Sequence, residues 1–585
     1  MNQKVDTDNI ENYFGEFDKN QQLTWCDIGL QHQSSNAEAH CFTPPHRVVP
    51  VIFLPGIMGS NLKSTIDNRS IWRIRAGIVG KFIDAIGWAM TSANARKKLL
   101  DPNKTETDFT QKVDNNNNES MYFAASRQER GWGSALATSY FAPLEKLQKE
   151  LLCWEDYYNK AKKAKEYSCC EADAFFKNES IFEKILNKAL SPDDKAFLSI
   201  EETRNYRSVL LPLHVFGYNW LQDNALSAQQ LSDYIDVVLA MYDVDKNGGK
   251  GHGLAFEKGH EKVIIVTHSM GGLVARYASE LLKQPCKNKI LGIVHGVMPD
   301  LGSPTTYKMM KIGEHSFPMS MVVGASAKRL MSVLAQSPAP MQLLPSAKYN
   351  NGQPWLRIEK GSLDGITDLY LPKKSTLLHT CNPFKDIYLK RKVWWQMYEP
   401  DILDTDNSTI EANFEQFAYI IVQTVKPFIQ EIDGHYHSNT YLFYGGYFNE
   451  NAPNDSRRSD ETITWKLQNN TSWLWVSDDS RETTEYGTQR AYTLLKSSNK
   501  WTYTNSGKNE GGCGDGTVPL GAINFKDQDK HYKEILKTNV GHQDAFQYKS
   551  WDGDGEYGAG KISPAIKFTL RSICRLLDIV EVKPK

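Results

Sequence analysis

The stretch Lys262–Ala278, KVIIVTHSMGGLVARYA, constrains this chain more than any other. Val263–Val266 is a β-branched run, the signature of a strand buried in a sheet. From Leu273 to Leu282 the apolar residues fall at helical spacing. Only His268, Ser269 and Met270 separate the strand from the pair Gly271-Gly272, so the chain must turn tightly from strand into helix. Small neighbours suit such a turn, because backbone and helix come close together there. A serine at the apex stands at the carboxyl end of a strand, where a base could reach it. The nearest signature is G-x-S-x-G, and Thr267 occupies its first glycine position, adding bulk beside the turn. By itself the stretch reads equally as a nucleophile elbow or as an ordinary turn.

The neighbouring segments place it in an α/β sheet. Strands are expected at Val48–Leu54, Val209–Phe216, Val263–Val266, Ile290–Val294 and Thr440–Tyr444. Helices are expected at Ala228–Tyr242, with Leu231, Ile235, Val238 and Leu239 on one face, and at Ile410–Ile432 despite Pro427. A last helix opens at Ser563-Pro564 and aligns Ile566, Leu570, Ile573 and Leu577. Strands alternating with helices at this spacing make crossover units of a parallel sheet. The core is thus assigned to 48–62, 205–306 and 405–585, after a polar extension at 1–47. Two stretches break the rhythm and read as cap insertions, 63–204 and 307–404. The first carries a helical face of Ile78, Phe82, Ile86 and Ala89; the second holds six of the 14 methionines between Met309 and Met341. Such methionine density suits a surface that moulds around flexible apolar ligands.

Composition removes several classes of function. Lys+Arg 68 against Asp+Glu 69 gives a net charge of −1, which argues against bulk attraction to nucleic acid or to an anionic membrane. The polar start has no signal-peptide pattern, and no apolar run is long enough to span a bilayer. Nine scattered cysteines without a C-x-x-C pair read as reduced structural thiols in a protein made in the cytoplasm. Asp243–Gly248 begins like a calcium loop, but Leu254 replaces the glutamate that would close it, so it reads as a polar loop. Trp551–Gly555 is acidic and turn-rich and is read without a cation. Phosphate-cradling and dinucleotide fingerprints are missing from the sequence, so neither metal nor cofactor is expected.

A serine nucleophile needs a base and an acid. His542 in NVGHQDAF follows the strand-like His531–Val540, and Asp515 lies on the glycine-bracketed loop GGCGDGTVPL. The order Ser269, Asp515, His542 is the one this strand-turn-helix architecture uses. Asp300, in HGVMPDLGSP after the Ile290–Val294 strand, competes for the acid's place. Backbone N–H donors for an oxyanion are expected at Met270 and, in the loop LPGIMGS, at Ile57.

PGIMGS, GYNW (Gly217–Trp220), THSMGG, GSP (Gly302–Pro304), QLLP (Gln342–Pro345) and GDGTVP occur in this order. Together they resemble the lecithin:cholesterol acyltransferase-like and related lipase branch of the α/β-hydrolases, in which a threonine before the elbow histidine is familiar. The resemblance implies a lipid ester as target, Ser269, Asp515 and His542 as triad, and Ile57 and Met270 as oxyanion donors. More narrowly, the chain is similar to the antibacterial phospholipase effectors of type VI secretion systems. That likeness implies a phospholipid substrate at a target-cell membrane, delivery by a secretion apparatus and restraint at home by an immunity protein. An acyltransferase with the same triad, or a binding or delivery protein keeping a hydrolase shell without catalysis, are the other readings.

Overall fold

The computed structural model describes residues 10–17, 23–25, 38–42, 44, 47–74, 91–113, 125–164, 177, 180–243, 261–313, 327–359, 366–368, 382–391, 396–398, 410–447, 457, 459, 461–468, 481–484, 487–493, 500–505, 513–547 and 562–579. Six strands make the central sheet: β1 Val51–Leu54, β2 Leu213–Val215, β3 Val263–His268, β4 Ile290–Gly296, β5 Thr440–Gly445 and β6 Glu534–Thr538. Their order is β2-β1-β3-β4-β5-β6, and every pair is parallel. All residues of β1, β3 and β4 are buried, which is why these strands carry apolar runs with little alternation.

Helices cover both faces. The helices named below are α1 (Ala137–Leu151), α2 (Asn224–Tyr242), α3 (Gly271–Glu280), α4 (Ile410–Ile420) and α5 (Pro564–Ile579). Helix α3 packs on β1, β3, β4 and α2, whereas α5 packs on β4, β5 and β6. Side chains alternate along a strand, so Gly292 and His295 of β4 point to opposite faces. A Cβ on Gly292 would stand 2.2 Å from Leu576 of α5, and a Cβ on Gly272 of α3 would stand 3.0 Å from His295. The two helices therefore sandwich the sheet. The α5 face is sealed by ions as well: Arg571 is bound by Asp194 at 2.7 Å and by Glu534 of β6, and Arg575 by Glu202 and Glu534.

Helix α4 runs on through a wider π turn, Ile421–Val425, into Lys426–Glu431. Pro427 lacks an N–H and its ring crowds the preceding turn, and the π turn accommodates both without ending the helix. In the polar extension, Ile10–Phe14 pairs in parallel with Glu38–Phe42, and the Tyr158 hydroxyl donates to the Gly15 carbonyl at 3.1 Å. A second six-stranded sheet, with strands at 356–359, 366–368, 463–468, 481–484, 487–493 and 500–505, has no counterpart in the sequence reading.

The methionine reading is corrected for the members described. Met310, Met331 and Met341 are fully buried and Met309 packs against the core, so these unbranched side chains fill gaps in the core instead of lining a surface. The expected helical face at 78–89, Met319, Met321, most of the 243–254 loop and the 551–555 loop lie outside the described residues. Among the described residues, Cys41, Cys153, Cys286, Cys513 and Cys574 are free thiols, and no helix is long and apolar enough to cross a membrane.

Candidate active site

The strand order sets the place of the site. The chain leaves β1 toward β2 on one side and leaves β3 toward β4 on the other, so their carboxyl ends flank a crevice where connections diverge. Two loops meet there, Pro55–Ser60 after β1 and the Ser269 turn between β3 and α3.

Ser269 has φ 53°. This left-handed conformation costs a non-glycine residue about 1–2 kcal/mol, and here the turn is held by its surroundings. The Ser269 N–H donates to the Gly296 carbonyl of β4 at 2.9 Å, and the Gly272 N–H donates to the Ser269 carbonyl at 2.9 Å. Close approach comes from glycines on both sides of the crevice. A Cβ on Gly271 would lie 2.7 Å from the Pro55 carbonyl oxygen, and one on Gly56 would lie 3.0 Å from both His268 and Ser269. Thr267 does not obstruct this turn. It shares a hydrogen bond with Nδ1 of His295 on β4 at 2.9 Å, and the glycine that the crowding demands is supplied by Gly56.

The structure brings His542 and Asp515 to this serine. Nε2 of His542 lies 2.9 Å from Ser269 Oγ, and its Nδ1 lies 2.8 Å from Asp515 Oδ2. A carboxylate can only accept, so Nδ1 carries the proton and Nε2 is left to accept from the serine hydroxyl. The other carboxylate oxygen, Oδ1, accepts the N–H groups of Thr517 at 2.9 Å and Val518 at 2.7 Å. Gly445, at the end of β5, makes room for this loop, since a Cβ there would meet Asp515 Cβ at 2.6 Å. All three side chains are buried.

Asp300 goes elsewhere. Its carboxylate pairs with Arg276 of α3 and accepts the hydroxyls of Tyr436 at 2.5 Å and Tyr532 at 2.9 Å. Burial by itself disfavours the charged Arg276, but Tyr436 and Asp300 more than offset it and hold the guanidinium above its usual range. Of the two candidate acids, only Asp515 faces the histidine.

The loop after β1 is pinned by its carbonyls at Pro55, Met58 and Gly59. The Tyr218 hydroxyl donates to the Pro55 carbonyl at 3.0 Å, the Trp72 indole to the Met58 carbonyl at 3.0 Å, and the Leu136 N–H to the Gly59 carbonyl at 2.8 Å. Met58 itself has φ 62°. Among the described residues, the N–H groups of Ile57, Met58 and Met270 have no acceptor, which leaves them able to bind an anion beside Ser269. The remaining motifs brace the acid loop: the hydroxyls of Ser303 and Thr305 both donate to the Thr517 carbonyl at 2.8 Å, and the Ser303 N–H donates to Leu343 of QLLP at 2.8 Å.

Residues 219–330 match the family described as the PGAP1-like alpha/beta domain, a span that holds Ser269 and leaves Asp515 and His542 outside. A chain of the crystal structure of the Tle4–Tli4 complex superposes with a TM-score of 0.66 at 24% identity, covering 91% of this chain and 99% of that one. The fold is that of an α/β-hydrolase. No curated protein matches the chain.

Within this fold, two contacts at the site were not legible in the sequence. Tyr140, on α1, reaches the elbow histidine His268, and Arg276 captures Asp300. Neither residue belongs to a local pattern, and the Tyr140 contact joins residues 128 positions apart.

Proposed function

We propose that the chain is a serine lipase of the phospholipase A type that hydrolyses acyl esters of membrane phospholipids. The observation that carries this reading is the unbroken hydrogen-bonded line from Ser269 through His542 to Asp515 at a strained strand-to-helix turn. Ser269 Oγ attacks the ester carbonyl while His542 Nε2 takes its proton. Asp515 holds the imidazole with its proton on Nδ1 and stabilises the imidazolium that forms. The Ile57 and Met270 N–H groups receive the charge that develops on the carbonyl oxygen. His542 then returns the proton to the leaving alcohol, and water, deprotonated by the same nitrogen, releases the fatty acid from the acyl-enzyme.

The lipid substrate rests on the ordered motif set and on the fold shared with the chain of the Tle4–Tli4 complex. On the same likeness we assign the protein as an antibacterial type VI secretion effector that acts at target-cell membranes. That solved structure is a complex, which supports a protein partner, here assigned as an immunity protein.

The test is fatty-acid release from vesicles of mixed bacterial phospholipids, with products identified by mass spectrometry and Ser269 labelled by a fluorophosphonate. Ser269→Ala should lower turnover by about 10⁶ and abolish labelling. Release at the wild-type rate by that variant would remove Ser269 as nucleophile.

A further inference from the structure

We propose that Tyr140 and His268 are positioning residues that lock the oxyanion loop and the main chain of His542 to the nucleophile turn. The inference rests on the reading of Ser269, His542 and Asp515 as a serine hydrolase triad.

The four polar groups of this relay can be oriented without ambiguity. The His542 carbonyl lies 2.8 Å from Nε2 of His268, and a carbonyl only accepts, so Nε2 bears a proton. Burial, with His542 alongside, pushes the His268 imidazole down to about 3, so the ring is neutral and its Nδ1 keeps a lone pair. That lone pair receives the Tyr140 hydroxyl at 2.7 Å. The phenolic oxygen, its own proton already donated, accepts the Gly56 N–H at 2.9 Å. All of these groups are buried, and each donor has one acceptor.

Both ends of the relay sit next to reacting groups. The Pro55–Gly56 peptide is clamped on its two edges, its N–H by Tyr140 and its C=O by the Tyr218 hydroxyl at 3.0 Å. The next peptide, which carries the Ile57 N–H, is held in turn by the Gly59 N–H donating to the Gly56 carbonyl at 3.0 Å, and the Tyr140 bond takes Gly56 out of the set of oxyanion donors. At the other end, the His542 carbonyl is held by His268 while its N–H donates to the Asp515 carbonyl at 2.7 Å. The imidazole is thus carried on a main-chain segment fastened on both sides. The Tyr140 ring also lies against Gly59, where a Cβ would stand 2.7 Å from it. Helix α1 therefore supplies part of the catalytic frame.

The assay is hydrolysis of a soluble short-chain p-nitrophenyl ester, with folding checked by near-UV circular dichroism. Tyr140→Phe keeps the ring and removes the relay proton. Displacing a reacting group by a fraction of its reach costs up to about 10²-fold in rate, so kcat should fall about 10- to 100-fold with KM held within about two-fold. His268→Gln, which retains a donor and an acceptor, should keep more of kcat than His268→Leu. Adding Tyr140→Phe to His268→Leu should cost little more, because both break one relay. If Ser269→Ala is inactive and Tyr140→Phe retains wild-type kcat, or if the two relay variants multiply, the positioning role is overturned while the triad reading stands. If Ser269→Ala still hydrolyses the ester, the triad reading itself falls and this inference with it.

Discussion

Asp515→Asn separates the two carboxylates that compete as partner of the histidine. Asparagine has nearly the volume of aspartate, so the change is mainly one of hydrogen-bond direction. In the native loop, Oδ1 accepts the Thr517 and Val518 N–H groups at 2.9 and 2.7 Å while Oδ2 faces His542 Nδ1 at 2.8 Å. The variant amide must keep its oxygen toward those two N–H groups, because its NH₂ there would set donors against donors. The NH₂ then faces His542, Nδ1 must accept, and the ring proton moves to Nε2. That nitrogen lies 2.9 Å from Ser269 Oγ and can no longer take the serine's proton. The wrong tautomer costs about 10⁴ in kcat, the loss found for the same change in the Ser-His-Asp template, equal to about 5.5 kcal/mol of barrier. Asp300→Asn does the opposite. It leaves the buried Arg276 without its counter-charge, at a cost of about 3–5 kcal/mol in stability, and leaves turnover of the folded protein within a few-fold. Initial rates on a short-chain ester, fluorophosphonate labelling rates and urea unfolding distinguish the two. Asp515→Asn at wild-type turnover, or a folded but inactive Asp300→Asn, would refute the assignment.

Three other outcomes follow from the packing. Arg571→Met strands the buried Asp194 carboxylate and leaves Glu534 with Arg575 as its remaining partner, and urea unfolding should register a loss of about 3–5 kcal/mol; an unchanged midpoint counts against the ion cluster. Thr267→Ala leaves Nδ1 of the buried His295 unpaired, which should lower stability by about 1–3 kcal/mol with labelling of Ser269 retained; lost labelling would mean that Thr267 acts at the turn itself. Burial holds His214 and His295 well below the ordinary histidine pKa and His268 at about 3. Their folded values are depressed, so their contribution is complete above the unfolded pKa of about 6.5 and is lost as pH falls toward the folded values, by about 1.4 kcal/mol per pH unit for each ring. His214→Phe should lower the pH slope of urea stability by that amount, and an unchanged slope would show that His214 is not held neutral.

How much was legible in the sequence depended on the range of the interaction. Strand, turn and helix around Ser269 follow from period, β-branching and glycine within a few residues. The same local signals gave the parallel α/β architecture. The order of Ser269, Asp515 and His542 along the chain also pointed to one constellation, which the structure gathers within hydrogen-bonding distance. Local signals do not reveal which buried groups face one another. Asp300, after a sheet strand, and Asp515, on a glycine-bracketed loop, both look able to orient a histidine, and only the placement of Arg276, Tyr436 and Tyr532 removes Asp300. Methionine spacing could not distinguish a ligand surface from a core seam, because the same flexible side chain serves both. Thr267 looked like an obstruction until the sheet set it beside His295 and brought Gly56 across the crevice. The sequence by itself determined the chemistry available, a serine at a tight turn with a histidine and carboxylates to follow. The tertiary structure decided which carboxylate faces the histidine and what holds the frame, because hydrogen-bond partners are fixed by distance in space between strands, loops and helices far apart in the chain.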